Sequence, residues 1–335
     1  MNPPREPLPL ILITGANGFL GSELTRQAAR AGWLARATDR ASTCVVEGVA
    51  YAPADILDPD SLKAVSAGAT HVIHAAGLAH IFGKTKAATA PFKAVNEIGT
   101  ANIANAAAAS DVRNLVLISS VAVYGSSTDS VYNESALCRP EGPYAGSKYQ
   151  AELHAIEVAK QSGMNLTILR LATAYGEGDP GNVGRLMRSI DRGRFIWIGS
   201  GLNRKSLIHR EDVGRACLAV LKKPPQGINI YNVSAPPCTM REIVAGISAA
   251  LGKQPFPVRV PASLALLLSR HLSRIPNRCM AGLHQTVKKW LAEDVYDTRR
   301  FEVAYGFQTK TSLKDGLKRE VDWYRQNQQN GQVAR

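Results

Sequence analysis

A tyrosine and a lysine four residues apart, Tyr144 and Lys148, stand at the start of a predicted helix with the sequence Tyr-Ala-Gly-Ser-Lys. This spacing places both side chains on one helix face. A phenol has a pKa of about 10 and needs help to act as a base near neutrality. A cation about 4 Å away, at an effective dielectric constant of about 20, contributes about 4 kcal/mol, or about three pKa units. We therefore expect Lys148 to lower the pKa of Tyr144 into the range of proton transfer.

A serine completes this acid–base set. The segment Ser119–Gly125 (Ser-Ser-Val-Ala-Val-Tyr-Gly) follows a predicted strand, so a serine there projects at the carboxyl edge of a sheet. Ser120 can hold a substrate hydroxyl and share its proton with Tyr144. A Tyr-x-x-x-Lys pair alone is often a solvated helix face, but the combination predicts that Ser120, Tyr144 and Lys148 are catalytic residues facing a nicotinamide.

A glycine-rich turn points to the same cofactor. Gly15, Gly18 and Gly21 have the spacing Gly-x-x-Gly-x-x-Gly between a predicted strand (Leu8–Thr14) and a predicted helix (Phe19–Ala31). Glycine permits a tight turn, lets the backbone approach a pyrophosphate and lets the helix pack closely on the strand. The helix N-terminus then offers N–H groups and a partial positive charge to the phosphates.

The ribose and adenine of the cofactor have candidate partners further along the chain. Asp39 ends the second predicted strand, Leu34–Thr38, where an acidic side chain accepts hydrogen bonds from the adenosine ribose and repels a 2′-phosphate. NAD is therefore predicted. Arg40 would attract a 2′-phosphate, which keeps NADP as the alternative. Asp55 and Ile56 end the third strand and are predicted to frame the adenine.

Strands and helices alternate through the first half of the chain. Beyond those already given, the predicted elements are the strand His71–Ala75, the helix Phe92–Ala109, the strand Leu115–Ser119, the helix Pro143–Gln161 and the strand Leu166–Leu171. This alternation predicts an α/β fold with a Rossmann-like, doubly wound parallel sheet, joined to a smaller α/β substrate-binding C-terminal lobe.

The pattern loosens after residue 174. Glycine and proline become frequent there, and short helices mix with isolated strands such as Ile228–Val233. We expect residues 1–174 to form the NAD(P)-binding Rossmann domain with the catalytic set. Residues 175–328 are expected to form a substrate-binding lobe over the carboxyl ends of the strands, and residues 329–335 a frayed tail.

Composition and charge narrow the class of protein. The 335 residues are 45% hydrophobic and 20% charged, as in soluble globular proteins. The five cysteines are scattered without a Cys-x-x-Cys pair, which predicts no metal site and a reducing cytoplasm. The net charge of +13 is spread along the chain, so no nucleic-acid partner is expected. The apolar run Ala262–Leu268 is far shorter than the ~20 residues that a membrane span needs.

The segment Ser263–Trp290 has two interpretations. Its leucines are accompanied by the cations Arg270, Arg274, Arg278, Lys288 and Lys289. The segment is either an amphipathic helix on a membrane surface or a cap on the substrate lobe. We expect the cap, without membrane contact, because apolar helical stripes usually face a core.

Taken together, these segments resemble the extended short-chain dehydrogenase/reductases, and especially the NAD-dependent epimerase/dehydratase family. The resemblance runs from Leu10 to Tyr324. Its further landmarks are His74-Ala-Ala-Gly77, Asn96-Glu-Ile-Gly-Thr100, Leu169-Arg170 and Ile208-His209. The resemblance implies that the catalytic serine, tyrosine and lysine of the family fall on Ser120, Tyr144 and Lys148. Its strand-end and adenine-contacting aspartates fall on Asp39 and Asp55.

The resemblance also implies the remaining contacts. Further cofactor contacts fall on Asn17, Phe19, Leu20, Ala75, Ala76, Gly77, Asn96 and Ser119. Candidates to hold a nucleotide diphosphate are Asn182 and one of Arg204 or Lys205. Relatives usually have an arginine where Lys205 aligns, and a solvated basic turn is the alternative for both cations. Thr173 stands where several 4-epimerases have asparagine, which leaves the identity of the sugar open.

The implied activity is that of a nucleotide-sugar 4-epimerase. In it Tyr144 takes a proton while hydride passes to NAD, and the 4-keto sugar rotates before the hydride returns. The alternative is a nucleotide-sugar 4-ketoreductase or dehydrogenase with an exchangeable cofactor. A steroid- or flavonoid-type reductase and a non-catalytic dinucleotide-binding protein come after it.

The resemblance also bears on dehydration and on partners. Val121 and Ala122 stand where 4,6-dehydratases carry an Asp-Glu pair, and neither can exchange protons, so dehydration is not expected. The expected partners are a UDP-linked sugar and a second copy, in a homodimer built on the helices that begin near Phe92 and Pro143.

Overall fold

Parallel strands form the centre of the molecule. The computed structural model describes residues 9–79, 86–125, 131–254, 258–273 and 283–329. The strands, in chain order, are β1 (Leu10–Thr14), β2 (Leu34–Thr38), β3 (Ala50–Tyr51), β4 (His71–His74), β5 (Asn114–Ser120), β6 (Asn165–Leu171), β7 (Thr173–Tyr175), β8 (Trp197–Ile198), β9 (Arg204–Lys205), β10 (Leu207–His209), β11 (Ile228–Val233), β12 (Cys238–Thr239) and β13 (Arg259–Val260). The main sheet has the order β11-β6-β5-β4-β1-β2-β3, and three short pairs join β10 to β7, β12 to β9 and β13 to β8.

Helices cover both faces of this sheet. They are α1 (Phe19–Arg30), α2 (Pro59–Ser66), α3 (Lys86–Phe92), α4 (Gly99–Ala109), α5 (Gly142–Ser162), α6 (Asn182–Asp191), α7 (Arg210–Lys222), α8 (Met240–Leu251), α9 (Ala262–Leu272), α10 (Leu283–Leu291), α11 (Arg299–Tyr305) and α12 (Leu313–Gln329). A π-helical turn (Lys93–Ile98) precedes α4, and a 3₁₀ turn (Val121–Tyr124) follows β5.

The alternation of side chains along β1 shows how the two faces are filled. Successive side chains of a strand point to opposite faces. Ile11 and Ile13 lie in one core with Leu24 of α1, whereas Leu12 lies in another with Ile103 of α4. A parallel sheet buried on both faces in this way confirms the predicted Rossmann-like α/β class.

One predicted strand is placed differently. The sequence predicts Ile228–Val233 as an isolated strand, but the structure pairs it with β6, with Ile228 opposite Leu166, at the edge of the main sheet. The reason is packing, because Tyr231 and Val233 are buried in the same core as β1 and α1. The chain therefore returns to the main sheet after residue 174, and a division into two lobes at that residue stays a prediction.

A smaller core lies among α6, α8 and α12. Val183, Met187, Ile243 and Val321 are buried in it. The last helix, α12, reaches Gln329, so this residue is helical, and the rest of the predicted tail lies outside the described residues.

A buried ion pair ties α5 to the sheet. Arg170 on β6 donates to both carboxylate oxygens of Glu152 on α5, at 2.6 Å from Nη2 and at 3.1 and 3.2 Å from Nε. The two side chains are only 4% and 1% exposed. Ser119 at the end of β5 donates to the same carboxylate, and the guanidinium lies 4.9 Å from the centre of the Tyr124 ring. Because Glu152 follows Lys148 by one helical turn, the pair fixes the catalytic part of α5 against β5 and β6.

We predict that Arg170→Met lowers the free energy of unfolding by about 3–5 kcal/mol, because the Glu152 carboxylate loses its partner without access to water. Urea denaturation measures this loss. The matched control is Arg299→Met, which removes an arginine that is 82% exposed from its pair with Asp297 and should cost far less stability, because water screens an exposed ion pair. Equal losses in the two variants would contradict the role given to the buried pair.

Candidate active site

The turn between β1 and α1 has room only for glycine at two positions. Gly15 has a φ of +67°, and a Cβ there would lie 2.6 Å from the Cα and backbone nitrogen of Ala76. A Cβ on Gly21 would lie 1.9 Å from the Gly15 carbonyl oxygen. The missing side chains therefore let the turn lie against the chain that follows β4, and let α1 pack against the turn.

The N-terminus of α1 suits a pyrophosphate. Gly18 is its N-cap, its first turn holds no acidic residue, and within the described residues no side chain caps it. Its first N–H groups thus lack intrahelical partners, and the helix dipole favours an anion there. Phe19 and Leu20, the first residues of the helix, are partly buried, and the Arg210 guanidinium lies 5.0 Å from the Phe19 ring centre. These features fit the diphosphate of a dinucleotide.

Asp39 is held beside the glycine turn. Its carboxylate accepts from the backbone N–H of Asn17 at 3.1 Å and of Arg40 at 2.7 Å, and the Arg40 side chain is exposed. The Asn17 side chain donates to Thr43 O at 2.8 Å and accepts from Val45 N at 2.9 Å. The acidic side chain and the glycine turn are thus joined, as a ribose-binding aspartate requires.

Asp55 and Ile56 follow β3 after a gap instead of ending it. The Asp55 carboxylate accepts from Leu57 N at 2.9 Å and is partly exposed. Ile56 is buried and leaves no space for a side chain at Gly99, where a Cβ would lie 2.5 Å from Ile56 Cδ1. Ile56 therefore packs against α4, and the contact of Asp55 with adenine stays a prediction.

A buried histidine links β4 to the glycine turn. Thr100 donates its hydroxyl to Asn96 O at 2.6 Å, so the His74 Nε2–H donates to Thr100 Oγ1 at 3.0 Å. The other ring nitrogen, Nδ1, then accepts from the Thr14 hydroxyl at 2.7 Å, and Thr14 in turn accepts from Ala76 N at 3.3 Å. Burial, together with the charge of Lys148, lowers the pKa of His74 to about 3. The ring is therefore neutral and fixes the start of the Ala75–Gly77 segment.

The predicted helix Phe92–Ala109 contains the π-helical turn, which displaces Asn96 into the protein interior. Asn96 accepts from Leu78 N at 2.7 Å and donates to Leu78 O and Ser147 Oγ, each at 2.9 Å. Ser147 in turn donates to Tyr144 O at 2.9 Å. The Asn96 amide, predicted to contact the cofactor, is thus used to hold the chain after Gly77 against the first turns of α5. Such π-turns are frequent near functional sites.

The predicted catalytic residues meet at the carboxyl ends of β4 and β5. The Ser120 and Tyr144 side chains are hydrogen-bonded to each other, and the Phe92 ring packs edge-on at 6.0 Å from the Tyr144 ring. Lys148 donates from Nζ to Ile118 O at 2.9 Å, and a Cβ on Gly77 would lie 3.2 Å from this Nζ. The lysine therefore borders the segment that also contacts the glycine turn.

The electrostatics of this group differ from the sequence prediction in one respect. Burial raises the pKa of Tyr144, and the hydrogen bond with Ser120 opposes the rise, so the expected lowering by Lys148 is wrong for the chain by itself. Burial also lowers the pKa of Lys148 to about 8, with the Glu152 carboxylate opposing. The cause is the same for both groups, because a dry site disfavours whichever form is charged.

Two residues that were predicted to contact ligands, Ser119 and Lys205, use their polar side-chain atoms in hydrogen bonds within the protein. Ser119, predicted to contact the cofactor, is buried and donates to Glu152. Lys205 is buried, and its Nζ donates to Lys289 O, Ala292 O and Asp294 Oδ2 at 2.7, 2.8 and 2.6 Å. Three acceptors use all three protons of the ammonium group. Lys205 therefore joins β9 to the end of α10 and has no donor left for a diphosphate.

The other substrate candidates face solvent to different degrees. Asn182 is the first residue of α6 and is exposed, with its amide oxygen accepting from Arg185 at 2.5 Å. Arg204 is exposed and pairs with Glu293 at 3.3 Å. Thr173 begins β7 and is partly buried. Of the two neighbouring cations, Arg204 is the one that can reach an incoming anion.

The sequence analysis assigns no role to four buried residues near the predicted catalytic residues, although two of them, Tyr124 and Arg170, lie in motifs that it names. Glu152 and Arg170 form the ion pair, and Tyr124 donates its hydroxyl to Asn232 Oδ1 at 2.7 Å. The rings of Tyr124, Tyr132 and Tyr296 are nearly parallel, with centres 5.1 to 6.1 Å apart. One signal was available, because an arginine inside the apolar strand Leu166–Leu171 needs a buried acid as its partner.

The fold and this site define an NAD-dependent enzyme of the extended short-chain dehydrogenase/reductase class. Residues 11–234 match the model of the NAD dependent epimerase/dehydratase family, and the chain belongs to that family. This confirms the resemblance, the enzyme class and NAD as the cofactor.

Individual relatives cover nearly the whole chain. The N-acetyl-alpha-D-glucosaminyl-diphospho-ditrans,octacis-undecaprenol 4-epimerase of Escherichia coli O157:H7 is 28% identical over 93% of this chain and 94% of its own. The ceramide reductase of Caulobacter vibrioides (strain NA1000 / CB15N) is 29% identical over 94% of each chain. The solved structure of MoeE5 in complex with UDP-glucuronic acid and NAD is 25% identical, with a TM-score of 0.76 over 95% of this chain and 99% of that one.

We predict that the contribution of neutral His74 to the free energy of unfolding decreases as the pH is lowered. The folded pKa of about 3 lies below the unfolded value of about 6.5, so the unfolded chain takes up a proton first and stability is lost as the pH falls below 6.5. From pH 7 to pH 5 the unfolding free energy of the wild type should fall by about 2 kcal/mol relative to that of His74→Asn. Urea denaturation at the two pH values measures the difference, with the exposed His271→Asn as control. Parallel pH profiles for the wild type and His74→Asn would be evidence against this assignment.

We also predict that Gly15→Ala weakens NAD binding at least about tenfold, because the new methyl group pushes the turn away from Ala76. Gly32→Ala is the matched control, since Gly32 also has a positive φ, +77°, but has open space around its Cα. Both variants pay the backbone cost of about 1–2 kcal/mol, and only Gly15→Ala should lose affinity in calorimetric titration with NAD. Equal affinities in the two variants would remove the steric explanation.

Proposed function

We propose that this chain is a nucleotide-sugar 4-epimerase that works through hydride transfer at C4 of a UDP-linked sugar. The observation that carries the proposal is the hydrogen-bonded pair of Ser120 and Tyr144 beside the buried Lys148, at the sheet edge that also holds the glycine turn. A Cβ on Gly77 would lie 3.2 Å from Lys148 Nζ, and a Cβ on Gly15 would lie 2.6 Å from the Ala76 backbone. The segment Ala76–Gly77 therefore lies between the proton-transfer groups and the glycine turn.

Each side chain has one task in this proposal. When bound, NAD would supply the hydride acceptor and donor, and the positive charge of its oxidised ring would favour the phenolate of Tyr144. Tyr144 takes the proton of the C4 hydroxyl and gives it back, and Ser120 holds that hydroxyl by a hydrogen bond. Lys148, with a pKa of about 8, is mostly a cation at neutral pH and favours the phenolate as the proton moves.

The 3₁₀ turn after Ser120 argues against dehydration, although the family includes dehydratases. Val121 and Ala122 occupy the turn, and Val121 is buried. Neither side chain can donate or accept a proton, so these two positions do not supply the additional acid and base that the removal of water needs.

A UDP-sugar is the substrate class that we propose first, because the MoeE5 complex shows a similar protein with UDP-glucuronic acid and NAD. Arg204 and Asn182 are the proposed diphosphate contacts. The second candidate function is a one-way 4-ketoreductase with the same three catalytic residues. The similarity to a ceramide reductase favours it, since a related chain reduces its substrate.

A homodimer in the cytoplasm completes the proposal. Ile98, at the end of the π-helical turn, and Leu153 on α5 are 45% and 41% exposed. Large apolar side chains exposed on neighbouring helices favour contact with a second copy through these helices.

The test combines cofactor release with turnover. We expect acid-denatured protein to release one NAD per chain. The intact protein should interconvert UDP-N-acetylglucosamine and its C4 epimer without added cofactor. In D₂O the product should carry no deuterium at C4, because the hydride returns from the bound cofactor. Tyr144→Phe should lower kcat at least about 100-fold with bound NAD unchanged, because only the proton transfer is lost. Tyr149→Phe, on the same helix, is the matched control and should keep the wild-type rate.

Two results would change the proposal. An empty protein that reduces a 4-keto sugar only with added NADH or NADPH would establish the ketoreductase. Wild-type kcat in Tyr144→Phe would remove the acid–base role of the tyrosine in either function.

A further inference from the structure

Helix α9 exposes its leucines instead of burying them. Leu264, Leu267 and Leu268 are 44%, 54% and 48% exposed, whereas Ala265 and Ser269 are buried. At about 100° per residue, the three leucines lie within an arc of about 100°. The sequence predicts that the segment Ser263–Trp290 caps the substrate lobe with an apolar stripe toward a core, and the structure shows that these three leucines are not covered. We call the three side chains the leucine face.

The leucine face lies in a part of the chain without acidic residues. No aspartate or glutamate occurs between Glu242 and Glu293. The lysines and arginines of this stretch are Lys253, Arg259, Arg270, Arg274, Arg278, Lys288 and Lys289. Arg270 is exposed on α9 next to the leucine face, and Lys288 and Lys289 are exposed on α10. Arg274 and Arg278 lie outside the described residues, and nothing here depends on them.

Helices α9 and α10 form one platform fixed to the lobe. Ser269 on α9 and His284 on α10 are hydrogen-bonded at 3.0 Å, and Trp290 on α10 donates from Nε1 to Ile198 O at 3.0 Å. Ile196 and Val258, next to the paired strands β8 and β13, add side chains that are 51% and 47% exposed. The leucine face thus belongs to a helix that is held against α10, and exposed cations lie on both helices.

The charge of this surface decides what covers it. A second copy placed on the leucine face would bring together two sets of cations from a stretch that contains no acidic residue, and like charges repel. Anionic lipid headgroups attract such cations, and leucines enter the boundary between headgroups and acyl chains. We propose that the leucine face, with Arg270, Lys288 and Lys289, docks on an anionic bilayer surface.

The helix lies on this surface and does not span it. Within the described ranges, no helix combines the length and the apolar character that crossing a bilayer takes. At about 1.5 Å per residue, the 11 residues of α9 extend about 16 Å, about half of the hydrocarbon core. The docked helix therefore buries only its leucine face.

Docking holds the proposed phosphate-binding segment near the bilayer. Lys205 donates to Lys289 O and Ala292 O, and Asn203 donates to Trp290 O at 2.8 Å and to Ala292 O at 3.1 Å. The end of α10 is thereby fixed to β9, which carries Arg204. The docking proposal concerns a surface outside the catalytic group and does not depend on the proposed epimerase activity.

Flotation of the full chain with lipid vesicles tests the proposal. We expect the protein to float at low salt with vesicles of phosphatidylcholine and phosphatidylglycerol, and to be released by high salt or by pure phosphatidylcholine vesicles. Replacing Leu264, Leu267 and Leu268 with serine should lower the bound fraction about tenfold, because apolar burial and headgroup attraction act together. Lys288→Glu with Lys289→Glu should lower it to a similar extent.

Matched variants separate docking from general effects. Val303→Ser replaces an apolar side chain that is 85% exposed on α11, and Lys222→Glu with Lys223→Glu reverses two exposed cations at the end of α7. Both should float like the wild type. Thermal unfolding checks that the serine variant is folded, as expected for exposed positions.

Three results would overturn the proposal. They are an absence of flotation at low salt, equal flotation of the wild type and the serine variant, and a dimer that the serine variant converts to a monomer without any vesicle binding. The last result would assign the leucine face to a second copy. None of these readouts requires turnover, so a failure here is distinguishable from a failure of the proposed activity.

Discussion

Glu152 on α5 and Arg170 on β6 form a buried ion pair, and the removal of both charges from water costs several kcal/mol per ion. Only a well-aligned pair offsets that cost, and the alignment exists at one position of α5 along β6. At that position Lys148 reaches the Ile118 carbonyl and Tyr144 reaches Ser120. The pair therefore helps to fix the positions of Lys148 and Tyr144 on α5 relative to β5.

On the side of the site where NAD is expected, close packing of the backbone depends on glycines, which have no side chain. Gly15 lets the β1–α1 turn touch Ala76, and Gly77 lets the same segment approach Lys148. His74 and Asn96 hold this segment at its two ends by hydrogen bonds that leave none of their polar atoms free. The glycine turn and Lys148 are therefore positioned by one short stretch, and a substitution at any of these residues is expected to displace it.

Local patterns were enough to predict the alternating fold and the glycine turn, and to select Ser120, Tyr144 and Lys148, which the structure brings together, because each rests on spacing within a few residues. The errors concern contacts across long separations. Lys205 is occupied by the end of α10, and Ile228–Val233 pairs with β6. The pKa of Tyr144 depends on burial, which exists only after folding. Periodicity showed that α9 is amphipathic, but it does not reveal whether a core covers the apolar side.

The hydrogen bonds from Asn203 and Lys205 to the end of α10 have a thermodynamic consequence. Linkage makes any change that one ligand causes in the affinity of the other reciprocal. If a substrate anion held at Arg204 shifts this connection, it alters the time that the enzyme spends on a lipid surface, and the surface alters the retention of substrate by the same factor. A coupling of only about 1.4 kcal/mol changes both affinities tenfold, so occupancy of the site and residence at the surface would act as one property of the molecule.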